Sequence, residues 1–415
     1  MSASWPKVRL GDHVDLLSGF AFKSKQFTDD QDDIPLVKGA NVHQGYIDWE
    51  KAVRWPKDEF SQYEKYHLKA NDVVLAMDRP WIEAGLKFSW IKPNDPDSML
   101  VQRVSRLRGI NGLSSRYLRY VIGSPQFTNY IKPIVTGVNV PHISGGQIKD
   151  YKFNLPPELL QDQIADIIEP YDNLIENNNR RIAILEEMAQ SLYREWFVKF
   201  RFPDHENVKF KDSPLGQIPE EWEVKKLKEF GEVITGKTPS KKKAEYYESR
   251  DVHFIKTPDM HKDVYVIDTG EMLSFAGADS QKKKLLPANS ISVSCIGTAG
   301  VVAINAEPAQ TNQQINSIVL AEDSELEFLY FALLDLKQTI INHGSTGATM
   351  TNLSKGKFED LDVIYPKNNY VSQFNSDVKS MFDEILVLLK KNKNLKKQRD
   401  MLLPKLISGK INLKD

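Results

Sequence analysis

Three stretches of this chain set cations close to aromatic rings, and a fourth is purely basic. Lys23 and Lys25 follow Phe20 and Phe22, Arg79 lies beside Trp81, Lys241, Lys242 and Lys243 precede Tyr246 and Tyr247, and Lys282, Lys283 and Lys284 stand in a row. Lys38 and Lys256 add single cations directly after apolar runs. Such groups can hold phosphates, while amides and guanidinium forks read base edges. Any one cluster reads equally well as a solvated loop, and its recurrence in both halves of the chain is what favours a binding surface. Two glycine-centred loops point the same way: Thr136-Gly137-Val138-Asn139-Val140-Pro141-His142, and residues 344–352. Glycine lets backbone approach a phosphate, and Asn139, His142, Thr349 and Asn352 offer side-chain donors. The competing reading is a pair of turns that only orient the strands after them.

Catalytic signatures do not survive scrutiny. Asn154-Leu155-Pro156-Pro157 approaches the Asn-Pro-Pro-aromatic turn of amino-methyltransferases, but its prolines are displaced by one and no aromatic follows. There is no Gly-x-x-x-x-Gly-Lys-Ser/Thr phosphate loop. The eight histidines lack the spacing of a helical zinc site, and Asp95, Asp97 and Asp259 read as loop carboxylates rather than nuclease ligands. The expectation is a binding protein with no catalytic residue, no metal and no cofactor of its own.

The loops need a scaffold, and the sequence carries one twice. Trp5, Leu10, Leu17, Ser18 and Gly19 return as Trp222, Leu227, Ile234, Thr235 and Gly236. Val37-Lys38 returns as Ile255-Lys256, Ala70-Asn71-Asp72-Val73 as Ala288-Asn289-Ser290-Ile291, and Gln102-Arg103-Val104 as Gln313-Gln314-Ile315. Tyr117 to Tyr120 matches Phe328 to Phe331, and Thr136-Gly137 with Ile143-Ser144 matches Thr346-Gly347 with Leu353-Ser354. Strand signals lie at Ile34 to Val37, Asp72 to Met77, Tyr151 to Leu155 and Ser290 to Ile296, and helical ones at Ser114 to Gly123 and Glu325 to Asn342. Neither alternating nor segregated, these elements give an α+β fold.

Each half ends in a long helical stretch. Ile164, Ile168, Tyr171, Ile175, Asn178, Ile182, Leu185, Ala189, Leu192 and Trp196 form a heptad row. Adding 210 gives Phe374, Val378, Met381, Ile385, Leu388, Asn392, Leu395, Arg399, Leu402 and Leu406 on the same register. The first stretch, Glu158 to Phe200, holds nine acidic and four basic residues, and Asn368 to Asp415 holds five and ten, so the two suit each other better than copies of themselves. Ile175, Asn178, Ile182, Leu185, Ile385, Leu388, Asn392 and Leu395 are therefore expected at an antiparallel coiled-coil interface, giving the chain pseudo-twofold symmetry. Two separate amphipathic helices are the alternative. Pro170 and Pro404 suggest kinks or late starts.

The expected domains are 1–157 and 213–366, with helical regions 158–212 and 367–415, and Arg201 to Pro219 as connector. At 415 residues the chain exceeds one ordinary core, and its net charge of −1 neither favours nor excludes a nucleic-acid partner. Its single cysteine, Cys295, excludes an intramolecular disulfide. No apolar run could span a membrane and Met1 to Leu10 has no signal-peptide core, so the expected place is the cytoplasm.

Along essentially its whole length the chain resembles the DNA-specificity subunit of type I restriction-modification systems. The resemblance rests on the two Trp-x-x-x-x-Leu openings, the Thr-Gly loops before Ile-Ser and Leu-Ser, the Leu-Pro and Tyr-Pro strand ends, Gln163 and Gln373 at the helix starts, and Met401 to Gly409 at the end. It implies two target-recognition domains, each reading one half of a bipartite site on double-stranded DNA, with the helices as a ruler. It also implies two methyltransferase subunits, which carry S-adenosylmethionine and methylate adenine, and a motor-nuclease restriction subunit. Val138-Asn139-Val140-Pro141-His142 departs from the usual glycine-rich loop, so that loop need not contact DNA in the family's way. A subunit serving one fused methyltransferase-nuclease, a stand-alone methyltransferase and a coiled-coil adaptor are the other readings. Copurification with the natural partner, S-adenosylmethionine binding by the isolated chain, and absent or sequence-blind DNA binding would respectively mark them.

Overall fold

The computed structural model describes residues 5–82, 85–135, 140–322, 325–345, 351–367, 369–411 and 413. The chain forms two compact units, Met1–Leu174 with Leu395–Asp415, and Ile175–Asn394.

The first unit contains β1 (Lys7–Arg9), β2 (Val14–Ser18), β3 (Ile34–Val37), β4 (Arg54–Trp55), β5 (Val73–Ala76), β6 (Trp81–Ile82), β7 (Gly85–Leu86), β8 (Phe88–Trp90), β9 (Met99–Leu100) and β10 (Val104–Gly109). Helices α1 (Ser115–Ile122), α2 (Pro125–Ile131) and α3 (Gly145–Lys149), strand β11 (Lys152–Asn154) and the start of α4 (Glu158–Tyr193) follow. The sheets run β2-β10-β5-β8, β4-β3-β9 and β1-β11, with β6-β7 as a separate hairpin. Leu10, Leu107, Tyr117, Phe127 and Ile168 centre its main core, and Leu403 and Leu406 join them.

The second unit contains β12 (Phe210–Ser213), β13 (Gly216–Pro219), β14 (Glu223–Lys226), β15 (Gly231–Thr235), β16 (Val252–Ile255), β17 (Tyr265–Val266), β18 (Glu271–Leu273) and α5 (Phe275–Asp279). Then come β19 (Ile291–Ser294), β20 (Val302–Asn305), β21 (Ala309–Thr311), β22 (Ile315–Leu320), α6 (Leu326–Asp335), α7 (Lys337–Gly344), α8 (Lys355–Glu359), β23 (Asp362–Tyr365) and α9 (Tyr370–Ile407). Its sheets run β15-β22-β19-β20-β17, β18-β16-β21 and β14-β23, the plan of the first unit with one strand added. In both small sheets the same pair is parallel, β3 with β9 and β16 with β21. The fold is α+β, built twice.

The matched residues do matched work. Asn71 and Asn289 both take positive φ, 69° and 64°, where asparagine is tolerated, and donate to Ile91 and Asn305 across the sheet. Gly19 and Gly236 donate to Val104 and Ile315, and a Cβ on either would lie within 2.3 Å of backbone from Val101 or Asn312. Close approach, rather than a turn, demands glycine at both places.

Among the predicted seam residues, Ile175, Ile182, Ile385 and Leu388 are buried, and Leu185 and Leu395 are half-buried. In the second unit α4 and α9 run antiparallel, since Asn178 donates to Asn392 at 2.8 Å while Trp196 packs on Phe374. Asn392 donates in turn to Asn179. In the first unit Arg399 occupies a seam position by pairing with Asp172 at 2.8 Å. Pro170 and Pro404 do not end their helices; each lies inside, at the cost of one backbone hydrogen bond. Gly409, φ 68°, turns the chain out after α9.

Two sequence expectations need correction. Arg201 to Pro219 is more than a connector: it carries the β12-β13 hairpin, and Phe202 and Ile218 are buried, the Phe202 ring packing 5.0 Å from that of Trp222. Its charge and proline content masked two core anchors. Glu325 to Asn342 is two helices rather than one, broken at Leu336. The burial pattern changes there, because α6 is buried from Leu326 to Leu333 whereas in α7 only Ile340 and Gly344 are.

Glu186 on α4 lines a cavity of about 180 Å³ with Tyr330 and Phe382. Burial and the Asp263 carboxylate push its carboxyl up to about 7, against a hydrogen bond from the Val264 backbone. A folded value above the unfolded one gives stability that is full below about 4.5 and lost as pH rises to about 7. Glu186→Gln should therefore raise the unfolding midpoint at pH 8, by about 1–3 kcal/mol of stability, and change it little at pH 4.5. Equal shifts at both pH values would show that titration is not involved. For the seam, Asn392→Leu alone should cost about 1–3 kcal/mol by stranding the Asn178 amide, and Asn178→Leu with Asn392→Leu should restore it. Denaturant unfolding of the two variants checks this, and additive losses would mean the pair is not coupled.

Candidate nucleic-acid interface

In the second unit the lysine clusters, far apart in sequence, converge. Lys241 and Lys256 both pair with Glu271 of β18, Lys241 at 3.1 Å. Lys256 follows β16, and its backbone N–H donates to Asp259 at 2.9 Å, which fixes the turn. Gln281 donates to the carbonyl of Lys237 at 2.7 Å, so the segment bearing Lys282 and Lys283 is tied to the loop that leads to Lys241, Lys242 and Lys243. Lys243 lies over the Tyr246 ring and donates to its hydroxyl at 3.0 Å, while Lys241 faces Tyr247. Ser274 holds the Glu245 and Tyr246 carbonyls and thereby seats α5 on this loop, with Phe275 68% exposed. Burial raises the Glu271 carboxyl, but hydrogen bonds from Lys256 and Lys241 prevail and hold it below its usual range.

The first unit uses the same framework. The Lys38 N–H donates to Asn41 at 2.8 Å, the counterpart of Lys256 and Asp259. Its ammonium lies 5.9 Å from the Phe27 ring, next to the exposed turn that carries Lys23 and Lys25.

A separate group forms after the third strand of each large sheet. Ile143 donates to Met77 and Arg79 to Pro141, while Asp78 accepts from His142 Nδ1 at 2.6 Å and from Arg103 at 3.3 Å. In the second unit Leu353 donates to Cys295 and Gly297 to Thr351, with Ile296 bridging Asn352. The C-terminal arms of both glycine-centred loops are thus anchored alike. Asn139 and Thr349 lie outside the described residues.

Sequence reasoning missed Glu271, the partner of Lys241 and Lys256, Asp78, the partner of His142, and Arg103, which shares Asp78. Glu271 gives no local signal, because its lysines lie 15 and 30 positions away in sequence. Arg103 stood in a repeated segment and was the more legible of the three. In chemical terms the surfaces are cation-rich loops on rigid strands with aromatic and amide neighbours, suited to phosphates and base edges. Among the described residues, no group of three or more His, Cys, Asp or Glu could hold a metal ion.

Two segments of the chain, residues 3–187 and 219–398, match the family model described as the type I restriction modification DNA specificity domain. The type I restriction enzyme HindI specificity subunit of Haemophilus influenzae is 32% identical over 408 residues, which covers 84% of this chain and 88% of that one. The MjaIX specificity subunit of Methanocaldococcus jannaschii is 28% identical over 310 residues, 74% of this chain and 71% of its own. Among solved structures, the S subunit of a type I system from M. genitalium superposes with a TM-score of 0.58 at 15% identity, covering 97% of this chain and 96% of that one. That likeness is one of fold.

The geometry around Glu271 yields a direct test. Glu271→Gln removes the counter-ion of Lys241 and Lys256, so binding to random-sequence duplex DNA should tighten and its log–log salt slope steepen by about one to two units. An unchanged slope would mean that these lysines face away from the polyanion.

Proposed function

The chain belongs to the type I restriction-modification DNA specificity family, and on that premise we propose that its two domains each read one half of a bipartite site on double-stranded DNA. It is the recognition component rather than a catalytic one. The observation that carries the proposal is the repeated turn at Lys38 and Lys256, placed at the same point of the same sheet in both units beside further lysines and rings. Lys23, Lys25, Lys38, Arg79 and His142 serve the first half-site. Lys241, Lys242, Lys243, Lys256, Lys282, Lys283 and Asn352 serve the second, and Asn139 and Thr349 complete the two glycine-centred loops.

The recognition domains of this proposal are residues 1–157 and 213–366, and the helical regions 158–212 and 367–415 are the ruler and the docking ground for partners. Two methyltransferase subunits bring S-adenosylmethionine for adenine methylation, and a restriction subunit adds the motor and nuclease. Exposed Ile184 and Met188, one turn apart on α4, offer apolar surface for such docking. No helix among the described residues is long and apolar enough to cross a membrane, and the proposed setting is the cytoplasm, where the DNA is.

Copurifying the chain with its methyltransferase and mapping adenine methylation tests the central reading. A split target with a fixed gap is expected, and a continuous target would overturn the bipartite reading. The ruler makes a further demand. With 36 residues α4 spans roughly 54 Å at about 1.5 Å per residue. One heptad inserted after Ile182 and one after Val387 keep Asn178 opposite Asn392 and lengthen the pair by about 10 Å, near three base pairs of B-DNA. The gap should lengthen by about two to four base pairs, or specific binding should be lost where the rotated half-site cannot be reached. A folded variant that keeps the original gap and affinity would show that the helices do not set the spacing.

A further inference from the structure

The two units share one sheet plan but differ where the third strand passes to the fourth. In the second unit β19 ends at Ser294 and β20 begins at Val302, joined through Gly297 and Gly300 at positive φ. In the first, β5 ends at Ala76 and β8 begins at Phe88, and between them rises the additional hairpin β6-β7. Nothing in the shared plan requires it.

The hairpin is firmly seated. Lys87 N–H donates to the Pro80 carbonyl at 2.7 Å across its base, the Lys87 ammonium donates to the Gly39 carbonyl, and Gly45 N–H donates to Phe88 at 2.8 Å. Its outgoing strand nevertheless leaves Trp81 and Ile82 38% and 37% exposed. Cations rim these apolar groups. Lys132 Nζ sits 4.1 Å from the Trp81 ring centroid, and Arg79 is exposed at the base with φ 45°. Burial, with a further contribution from the charge of Arg79, holds the Lys87 ammonium below its usual range.

An exposed aromatic strand face flanked by two cations, Lys132 and Arg79, matches a polyanion whose interior is made of flat rings. We propose that β6-β7 is a wedge that enters a groove in the half-site read by the first unit, where Trp81 and Ile82 partly unstack one base step while Lys132 and Arg79 hold the flanking phosphates. The inference rests on the DNA reading above and adds a source of specificity to it. Opening a step costs least at flexible pyrimidine–purine steps, so the wedge selects such a step without hydrogen-bonding any base edge. On binding, Lys132 exchanges the indole face for a phosphate, and Trp81 exchanges Lys132 for a base.

The test uses the full chain assembled with its methyltransferase and duplexes that carry 2-aminopurine at successive positions of either half-site. Wild type should raise the fluorescence severalfold at one step of one half-site and leave the other half-site unchanged. Trp81→Ala should abolish that rise and weaken specific binding by about tenfold or more while keeping the salt slope. Trp81→Phe should retain part of both, and Ile82→Ser, a change at an exposed position, should diminish both. A folded Trp81→Ala complex that binds as tightly with the same fluorescence overturns the wedge. So does a variant that binds DNA normally but no longer assembles with the methyltransferase, since the hairpin then belongs to a protein interface. A wild-type complex that selects no sequence overturns the DNA reading itself, and the wedge with it.

Discussion

A long apolar stripe in water must be covered, and how it is covered here depends on one polar contact. Asn178 and Asn392 meet at 2.8 Å inside a seam otherwise made of side chains such as Ile175, Ile182, Ile385 and Leu388. Apolar side chains pack nearly as well after a slip of one heptad, whereas a buried amide that loses its partner does not. The pair therefore turns general stickiness into a single alignment of α4 with α9. Arg399 and Asp172 act likewise in the first unit, where a charged group at a seam position is tolerated because its partner is fixed.

Much of this was legible in the sequence because repetition exposes what a single copy conceals. Asn71 and Asn289 were paired by their setting in Ala-Asn-x-apolar segments, and both prove to sit at positive φ with equivalent cross-sheet bonds. Gly19 and Gly236 were paired by position, and both prove to be points where backbone passes too close for a Cβ. These are backbone constraints that only a few residue types satisfy, so they persist when surrounding side chains change. The heptad rows were legible for a similar reason, since covering a stripe requires apolar groups at fixed spacing whatever their identity.

The remainder was hidden because it depends on contacts distant in sequence. Lys241 and Lys256 could be named as cations, but not as two claimants on Glu271, since the sheet alone brings β16 and β18 together. Arg201 to Pro219 was read as a connector because its charges and prolines outweigh its two buried anchors, Phe202 and Ile218. The break at Leu336 coincides with the passage from α6, buried on nearly every side, to the largely unburied α7, a change that periodicity over so short a span does not reveal.

The two sheets also show how two copies of one fold can drift apart without losing it. On β10 of the first unit, buried Arg106 pairs with Asp15, and Arg108 pairs with buried Asp72. At corresponding places the second unit has Ser317, hydrogen-bonded to Ser292 at 2.9 Å, and Val319. Stranding one partner of a buried ion pair costs several kcal/mol, and Arg108 and Asp72 are replaced together, by Val319 and Ser290, whereas the half-exposed Asp15 keeps an acidic counterpart, Glu232. Each unit thus sets its own polar contacts beneath a common backbone ladder, ion pairs in the first and a hydroxyl pair in the second. Loops that emerge from the strand ends, whether the tight turn at Gly297 or the β6-β7 hairpin, enter neither the ladder nor those charge pairs. Sequence can therefore change at the exposed edge of one unit without any compensating change in its core, and without any change in the other unit at all.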